Sequence, residues 1–96
     1  MTKALLIAAA LLATPAAAQV VPLPAPAGDA TAIAASAIRA AEHPCGKVAS
    51  ASRLRDGTIR ALCSNGEAYR VMRVKGMAET VALKCSAAAR LGISGC

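Results

Sequence analysis

The sequence predicts an α+β fold: one N-terminal helix packed on a three- to four-stranded antiparallel meander, a short C-terminal helix and two disulfides. Three observations indicate this class. Apolar residues recur at helical spacing before Pro44, two hairpin dipeptides follow closely on one another, and the four cysteines of the 96-residue chain lie from position 45 onward. We expect a single small domain over residues 29–96, preceded by two segments that do not belong to it.

The first of these segments has the order of parts that is typical of a secretory signal peptide. Lys3 gives a positive start, residues 4–13 are an unbroken apolar run, and Ala16-Ala17-Ala18 supplies the small residues that precede a cleavage site. The run is about half as long as the roughly 20 residues that a membrane-spanning helix needs. We therefore predict a cleaved signal over residues 1–18, a periplasmic or secreted location, and no membrane span after cleavage.

The second segment, residues 19–28, is rich in proline and alanine. Proline fixes φ and removes a backbone donor, so we expect an extended or disordered linker here. Asp29 then offers a helix N-cap, and a helix is predicted over residues 30–42 that ends before Pro44. Its apolar stripe comprises Ile33, Ala34, Ala37, Ile38 and Ala41.

Two dipeptides, Asp56-Gly57 and Asn65-Gly66, predict tight hairpins because both central positions of a two-residue turn favour residues that accept positive φ. They imply strands near residues 47–55, 58–64 and 67–75. Two-residue turns would place Leu54 opposite Ile59 and Cys63 opposite Ala68. A fourth short strand is compatible with residues 79–84, and residues 86–91 are expected to form a short helix that ends at Gly92.

In this register one face of the sheet is apolar except for Arg70. This face is expected to lie beneath the helix. Its other members are Val48, Leu54, Ile59, Ala61, Cys63, Ala68, Met72 and Val74. The opposite face carries Leu62 and Val71 together with a predicted surface for an anionic partner: Arg53, Arg55, Arg60, Tyr69 and Arg73. The planar guanidinium group binds carboxylate or phosphate through paired hydrogen bonds. An anionic envelope component or an acidic protein would suit it, and a solvated face without a function is the simpler interpretation.

The composition predicts a thin core that needs covalent support. The chain has no Phe or Trp and one Tyr, and much of its 56% hydrophobic content is alanine, which buries little area. Four cysteines allow three disulfide connectivities. We favour Cys45–Cys63 with Cys85–Cys96, because both close local loops beside predicted turns and an oxidising compartment permits them. The cysteine spacing contains no C-x-x-C pair, so no metal site is predicted.

No residue is predicted to be catalytic and no cofactor is expected. The only histidine, His43, lies at a predicted helix end, and the acidic residues have capping or turn positions that already explain them. Fingerprints for phosphates, dinucleotides or haem are missing from the sequence. Nucleic acid is not an expected partner, because one aromatic residue is too few for base stacking and the protein is predicted to be exported.

The order of the predicted elements and their turns resembles the PepSY type of small exported domain. The matching residues are Gly46-Lys47-Val48, Asp56-Gly57, Asn65-Gly66-Glu67 and Tyr69-Arg70-Val71. The resemblance covers about residues 30–75 and implies non-catalytic binding or restraint of envelope and secreted proteins. The cysteines and the C-terminal helix depart from that pattern. The chain is also similar to small exported proteins of Gram-negative bacteria that have no assigned role.

The function predicted from the sequence is a non-enzymatic binding or interaction module of the cell envelope. The alternative is a small periplasmic protein that is redox-active through one labile disulfide. The net charge of +6 for the full chain becomes +5 when Lys3 leaves with the predicted signal, and this basic balance favours anionic partners for the binding module. The sequence makes no prediction of oligomeric state.

Overall fold

The computed structural model describes residues 20–93 and residue 96. The predicted signal peptide, residues 1–18, lies outside these residues. The chain has the predicted α+β class, with an antiparallel sheet, two helices and two disulfides. Its elements are β1 (Pro22–Leu23), α1 (Ala30–Ala40), β2 (Val48–Arg53), β3 (Ile59–Cys63), β4 (Ala68–Val74), β5 (Thr80–Lys84) and α2 (Cys85–Arg90).

Strand β4 lies inside the sheet, and its neighbours run antiparallel to it. β3 pairs along one side and β5 along the other, so Val71 lies opposite Ile59 and also opposite Ala82. Arg73 pairs with both β1 and β5, which places β1 on the same side of β4 as β3. β2 pairs with β3 alone. Within residues 20–93, β2 and β5 are therefore the long edge strands, and the two-residue β1 also pairs with one strand alone.

Helix α1 begins at an N-cap and ends in a Schellman motif. The carboxylate of Asp29 accepts the Ala32 N–H at 2.8 Å. At the other end, the Glu42 N–H donates to Arg39 O at 2.9 Å and the His43 N–H donates to Ile38 O at 3.1 Å. Glu42 has a φ of +58°, a left-handed conformation that this motif requires and that glycine usually supplies.

The predicted register of the first hairpin is wrong by one residue. Arg53, not Leu54, lies opposite Ile59. The turn is a three-residue loop, in which the Leu54 N–H donates to Thr58 O at 2.7 Å and Gly57 has a φ of +86°. A type I turn followed by a left-handed glycine produces this geometry. Asp56 supports it, since its carboxylate accepts the Thr58 N–H at 2.9 Å.

The second hairpin repeats the same arrangement. Leu62, not Cys63, lies opposite Ala68, and Gly66 has a φ of +92°. The Asn65 side chain accepts the Glu67 N–H at 2.9 Å, as Asp56 does in the first loop. Because a slip of one residue turns side chains to the other face, part of the predicted apolar face is also wrong.

The sheet separates two apolar clusters. Alternate residues of β4 point to opposite faces: Tyr69 and Val71 belong to the cluster that contains Ala34 and Ile38 of α1, whereas Met72 belongs to the one that includes α2. The first cluster comprises Ala25, Ala34, Ala37, Ile38, Ile59, Ala61, Cys63, Tyr69, Val71 and Ala82. The second comprises Met72, Val74, Ala88 and Ile93. Each face of β4 is thus covered.

Residues 20–28, of the predicted linker, are extended as expected but lie against the domain. Pro22 and Leu23 pair with β4, and the Ala25 N–H donates to Gly57 O at 2.9 Å. Ala25 is buried. The prediction of an extended or disordered linker did not include the arginine donors that bind the carbonyl groups of this segment. Arg53 donates to Pro26 O at 2.8 Å, and Arg73 donates to Pro24 O at 3.0 Å.

The favoured disulfide pairing is confirmed. Cys45–Cys63 joins the segment before β2 to the end of β3, and Cys85–Cys96 joins the first residue of α2 to residue 96. The Cα atoms of the two pairs are 5.1 and 5.4 Å apart. Among the described residues, no helix combines the length and the apolar character needed to cross a membrane.

Candidate anion-binding site

The five residues predicted to bind an anionic partner do not share one face. Arg53 lies opposite Ile59 and Arg60 lies opposite Ser52, so their side chains leave the sheet on opposite sides. Tyr69 is fully buried among the residues beneath α1. The change of hairpin register is the physical reason for this separation.

The backbone binds three of these arginines. Besides its bond to Pro26, Arg53 donates to the carbonyls of Ala25, Gly57 and Gly28 at 3.0–3.2 Å. The Arg60 Nε donates to Cys96 O at 2.6 Å. Arg73 holds Pro24, as described above. Arg55 is exposed in the first hairpin loop. Binding of an anionic partner by these residues stays a prediction.

A fourth arginine forms a buried network with a hairpin loop. The Arg70 Nε donates to Thr58 Oγ1 at 2.7 Å, and its Nη2 donates to Asp56 Oδ2 at 3.1 Å. The Thr58 hydroxyl in turn donates to Asp56 Oδ1 at 2.6 Å. The hydrogen bonds from Thr58, assisted by the charge of Arg70, lower the pKa of Asp56 below its ordinary value of 3.8. Arg70 was the one charged residue on the predicted apolar face. Its side chain stabilises the first hairpin loop through these hydrogen bonds.

A pocket of about 230 Å³ opens between α1 and the segment that leads into β2. The helix supplies one wall and the segment from His43 to Val48 supplies the other. The lining residues are Ala35, Ile38, Arg39, His43, Cys45, Gly46, Lys47 and Val48. The lining combines apolar residues with three residues that carry nitrogen donors: Arg39, His43 and Lys47.

The segment wall is fixed to the β3–β4 hairpin. The Ser64 Oγ accepts the Lys47 N–H at 3.1 Å and donates to Cys45 O at 3.3 Å. The Ser64 N–H donates to Lys47 O at 2.8 Å, and the Cys45–Cys63 disulfide adds a covalent link. Gly46 has a φ of +81°, and a Cβ atom there would clash with Ser64 Oγ. Glycine is therefore required for this close approach.

His43, which lines the pocket, is held in place by the buried Tyr69 and by β5. The two rings are stacked with centroids 5.0 Å apart, and the His43 Nε2 donates to Ala82 O at 2.9 Å. The Tyr69 hydroxyl donates to Pro44 O at 2.6 Å. Burial, with a contribution from the charge of Glu67, raises the pKa of Tyr69 above 10.0, so the phenol retains the proton that it donates. The lining is thus held before any ligand arrives.

The cations of the pocket form no ion pair with a carboxylate in the described part of the chain. The ion pair that the structure shows there joins Arg70 to Asp56, and none of the pocket's lining residues is acidic. Arg39 and Lys47 therefore place two positive charges at a concave site. A concave, partly apolar site strengthens the attraction between these charges and an anion relative to a flat surface.

Arg39 and Lys47 were not predicted to be site residues, and His43 was predicted only to lie at a helix end. The three residues are separated by regular steps of four positions, but the helix ends between the first and the second. The left-handed Glu42 and Gly46 bring them together, and neither conformation follows from spacing alone. The sequence feature that could have indicated this site is the Gly46-Lys47 dipeptide beside Cys45.

In the described residues, no group of three or more His, Cys, Asp or Glu side chains is placed to hold a metal ion, and each cysteine is in a disulfide. Comparison of the chain with protein-family models, with curated proteins and with solved structures gives no match. The resemblance to PepSY domains stays a prediction.

Proposed function

We propose that this protein is an exported, non-enzymatic binding module of the cell envelope that binds an anionic group in the pocket between α1 and β2. The observation that carries the proposal is the pair Arg39 and Lys47, which lie at a preformed concave site without a carboxylate partner in the described residues. The guanidinium group can bind two oxygen atoms of a carboxylate or phosphate, and the ammonium group adds a point charge.

Two further features support export and binding. The signal-like residues 1–18 and two disulfides are typical of proteins that work in an oxidising compartment. The excess of Lys and Arg over Asp and Glu gives the protein a positive field that attracts anions from a distance. The pocket then supplies the specific contact.

The test is a calorimetric titration with inorganic phosphate and with acetate at low ionic strength. We expect binding that weakens about tenfold in Arg39→Gln, and similarly in Lys47→Gln, which corresponds to about 1.4 kcal/mol per charge removed. Arg90→Gln is the matched control, because Arg90 is exposed at the end of α2 and does not line the pocket. Equal affinity in all four proteins, or no binding at all, would contradict the proposal.

The redox alternative has one observation in its favour. Cys85 and Cys96 are both partly exposed, whereas in the other disulfide Cys45 is partly exposed and Cys63 is 2% exposed. A labile disulfide needs access for an attacking thiolate. Trapping of thiols after graded reduction separates the two functions: selective opening of Cys85–Cys96 at a mild potential supports redox activity, and equal resistance of both disulfides argues against it.

A further inference from the structure

We infer that the ligand is the C-terminal end of an extended peptide, which adds to β2 as an antiparallel strand and places its terminal carboxylate in the pocket. This inference rests on the proposed function, because it identifies the anionic group that the pocket binds. Three observations lead to it: the free edge of β2, the position of the pocket at the start of that strand, and the distribution of charge along the edge.

The outer edge of β2 offers unpaired backbone groups. Hydrogen-bonded and non-hydrogen-bonded pairs alternate along an antiparallel ladder. The bond from the Leu54 N–H to Thr58 O fixes the phase, so Ser52 bonds to β3 while the N–H and C=O of Ala51 and Arg53 face away from it. No strand of the described residues pairs with this side of β2.

The side chains along this edge leave room for a partner. Residues 49–52 are alanine and serine, and three of the four are exposed. Edge strands usually carry charge, proline or a bulge that hinders pairing. β2 has a register shift between Val48 and Ser50, so the regular part of its edge is residues 50–53. The other long edge strand, β5, differs, since its Ala82 carbonyl already accepts a hydrogen bond from His43. β2 is therefore the edge that is suited to strand addition.

The pocket fixes the direction of the added strand. Lys47 and Val48, at the beginning of β2, line the pocket. An antiparallel strand brings its C-terminal end to this position, so its carboxylate meets Arg39 and Lys47. A parallel strand would bring its N-terminal ammonium group to the same cations and would be repelled. The apolar lining from Ile38 and Val48 favours an apolar last side chain.

The charges argue against a second copy of this chain as the occupant. Antiparallel pairing of two β2 strands about Ala51 would bring Lys47 of one copy, which lies beyond the register shift, close to Arg55 of the other, twice. Like charges directly opposite each other destabilise a pair of strands. Lys47 and Arg55 suit a partner peptide that carries a carboxylate at its end and an acidic residue several positions before it, near Arg55.

The probe is an N-acetylated hexapeptide, Glu-Asp-Thr-Val-Ser-Val, with a free C-terminal carboxylate. We expect it to bind at least tenfold more tightly than acetate, and at least tenfold more tightly than the same peptide with a C-terminal amide. N-methylation of alternate peptide bonds tests the strand contacts without altering the protein. The set of methyl groups that faces β2 should abolish the gain over acetate, and the set that faces away should not.

A protein variant supplies the complementary test. Because the Ala51 N–H faces away from β3, Ala51→Pro removes an outward donor and keeps the β2–β3 ladder. We expect this variant to bind acetate and phosphate like the wild type but to lose most of the gain from the peptide. Comparison of its thermal unfolding curve with that of the wild type verifies that the variant folds. If the variant does not fold, the N-methylated peptides with the wild-type protein test strand addition.

The outcomes separate the two proposals. Binding of phosphate and acetate that depends on Arg39, with the free-acid peptide no tighter than acetate or than its amide, overturns the peptide inference and leaves the proposed function standing. Peptide binding that is unaffected by either set of methyl groups also overturns strand addition. No binding of phosphate, acetate or peptide overturns both.

Discussion

At the scale of single residues, arginine joins distant parts of the chain. Arg53, Arg60 and Arg73 each donate to a backbone oxygen at least 25 residues away, and Arg70 reaches the first hairpin loop. Carbonyl groups in a proline-rich segment or a tail have few regular partners, and the guanidinium group supplies several donors in a plane. These four arginines therefore serve structure, whereas Arg39 and Lys47 line a concave site.

The Asp56 network predicts a specific pH dependence. Because the folded-state pKa of Asp56 is lowered, its contribution to stability is present above the ordinary value of 3.8 and is lost as the pH falls through the lower folded-state pKa. Asp56→Asn should therefore be less stable than the wild type near neutral pH, with a difference that shrinks as the pH is lowered below 3.8. Urea unfolding at neutral pH and at a series of pH values below 3.8 measures this, and a difference independent of pH would refute it.

Two glycines provide a matched pair of substitutions for the pocket wall. Gly46 and Gly66 both have positive φ, but only a Cβ at Gly46 meets Ser64 Oγ. Alanine should therefore destabilise the fold more at Gly46 than at Gly66, by about 1 kcal/mol beyond the shared backbone strain. We also expect weaker phosphate binding in Gly46→Ala alone. Equal effects of the two substitutions in urea unfolding and in the phosphate titration would show that the Ser64 contact does not shape the pocket.

At the scale of elements, the sheet is covered on both faces by short pieces of chain. Helix α1 buries Ala34, Ala37 and Ile38, whereas α2 and Ile93 cover the other face at Met72. The N-terminal segment adds β1 at the end of β4 and continues to Gly28, where Arg53 holds it. The pocket lies between two pieces of the chain: α1 forms one wall, and the segment from His43 to Val48, held by the Cys45–Cys63 disulfide, forms the other.

Removal of the Arg53 side chain tests the attachment of the N-terminal segment. Arg53→Gln should lose most of its bonds to the segment and destabilise the protein by about 1–3 kcal/mol. Faster exchange of the Ala25 amide hydrogen and cleavage near residues 26–28 by added protease should accompany the loss. Arg55→Gln is the control, since Arg55 is exposed nearby and donates to none of these carbonyls. Unchanged exchange at Ala25 in Arg53→Gln would be the contrary result.

At the scale of the whole molecule, a small alanine-rich core is combined with two disulfides. The largest fully buried side chains are Tyr69, Ile38, Ile59, Met72, Val71 and Thr58. Only one of these side chains is aromatic, and many of the other buried residues are alanine, so burial supplies a modest driving force for a chain of this length. Covalent links reduce the entropy of the unfolded chain and compensate for this deficit.

The two disulfides should differ in their effect on function. Paired alanine substitutions at Cys45 and Cys63, or at Cys85 and Cys96, should each lower the free energy of unfolding by about 2–4 kcal/mol. Only the first pair holds the pocket wall. Phosphate affinity should therefore fall in the first double variant and persist in the second, at a temperature where both are folded. Equal loss of affinity in the two variants would disprove this division.

The sequence was sufficient for the class of fold and for the disulfide pairing, because hairpin dipeptides and local loop closure are encoded by neighbouring residues. It was not sufficient for the register. Asp56-Gly57 and Asn65-Gly66 are compatible with loops of two or three residues, and the choice depends on side-chain hydrogen bonds such as Asp56 to Thr58. Because the observed register differs from the predicted one by one residue, Tyr69 lies in the core and the predicted arginine residues lie on different faces.

The pocket could not be predicted from the sequence, because it also depends on contacts between residues that are not neighbours in a periodic pattern. Arg39 and Lys47 belong to different elements, and the chain brings them together through the left-handed Glu42 and Gly46 and through the Ser64 contact. These are tertiary conditions that no periodic pattern shows. The docking of residues 20–28 likewise depends on Arg53 and Arg73, which lie far along the chain.

The most direct test of the central claim is a map of amide chemical shifts during titration with inorganic phosphate, recorded by NMR at low ionic strength. An anion in the pocket predicts saturable shifts at Arg39, His43 and residues 46–48, with little change near Arg90. Shifts spread evenly over all exposed cations, or none in the pocket, would contradict the claim that this protein binds its partner through this site.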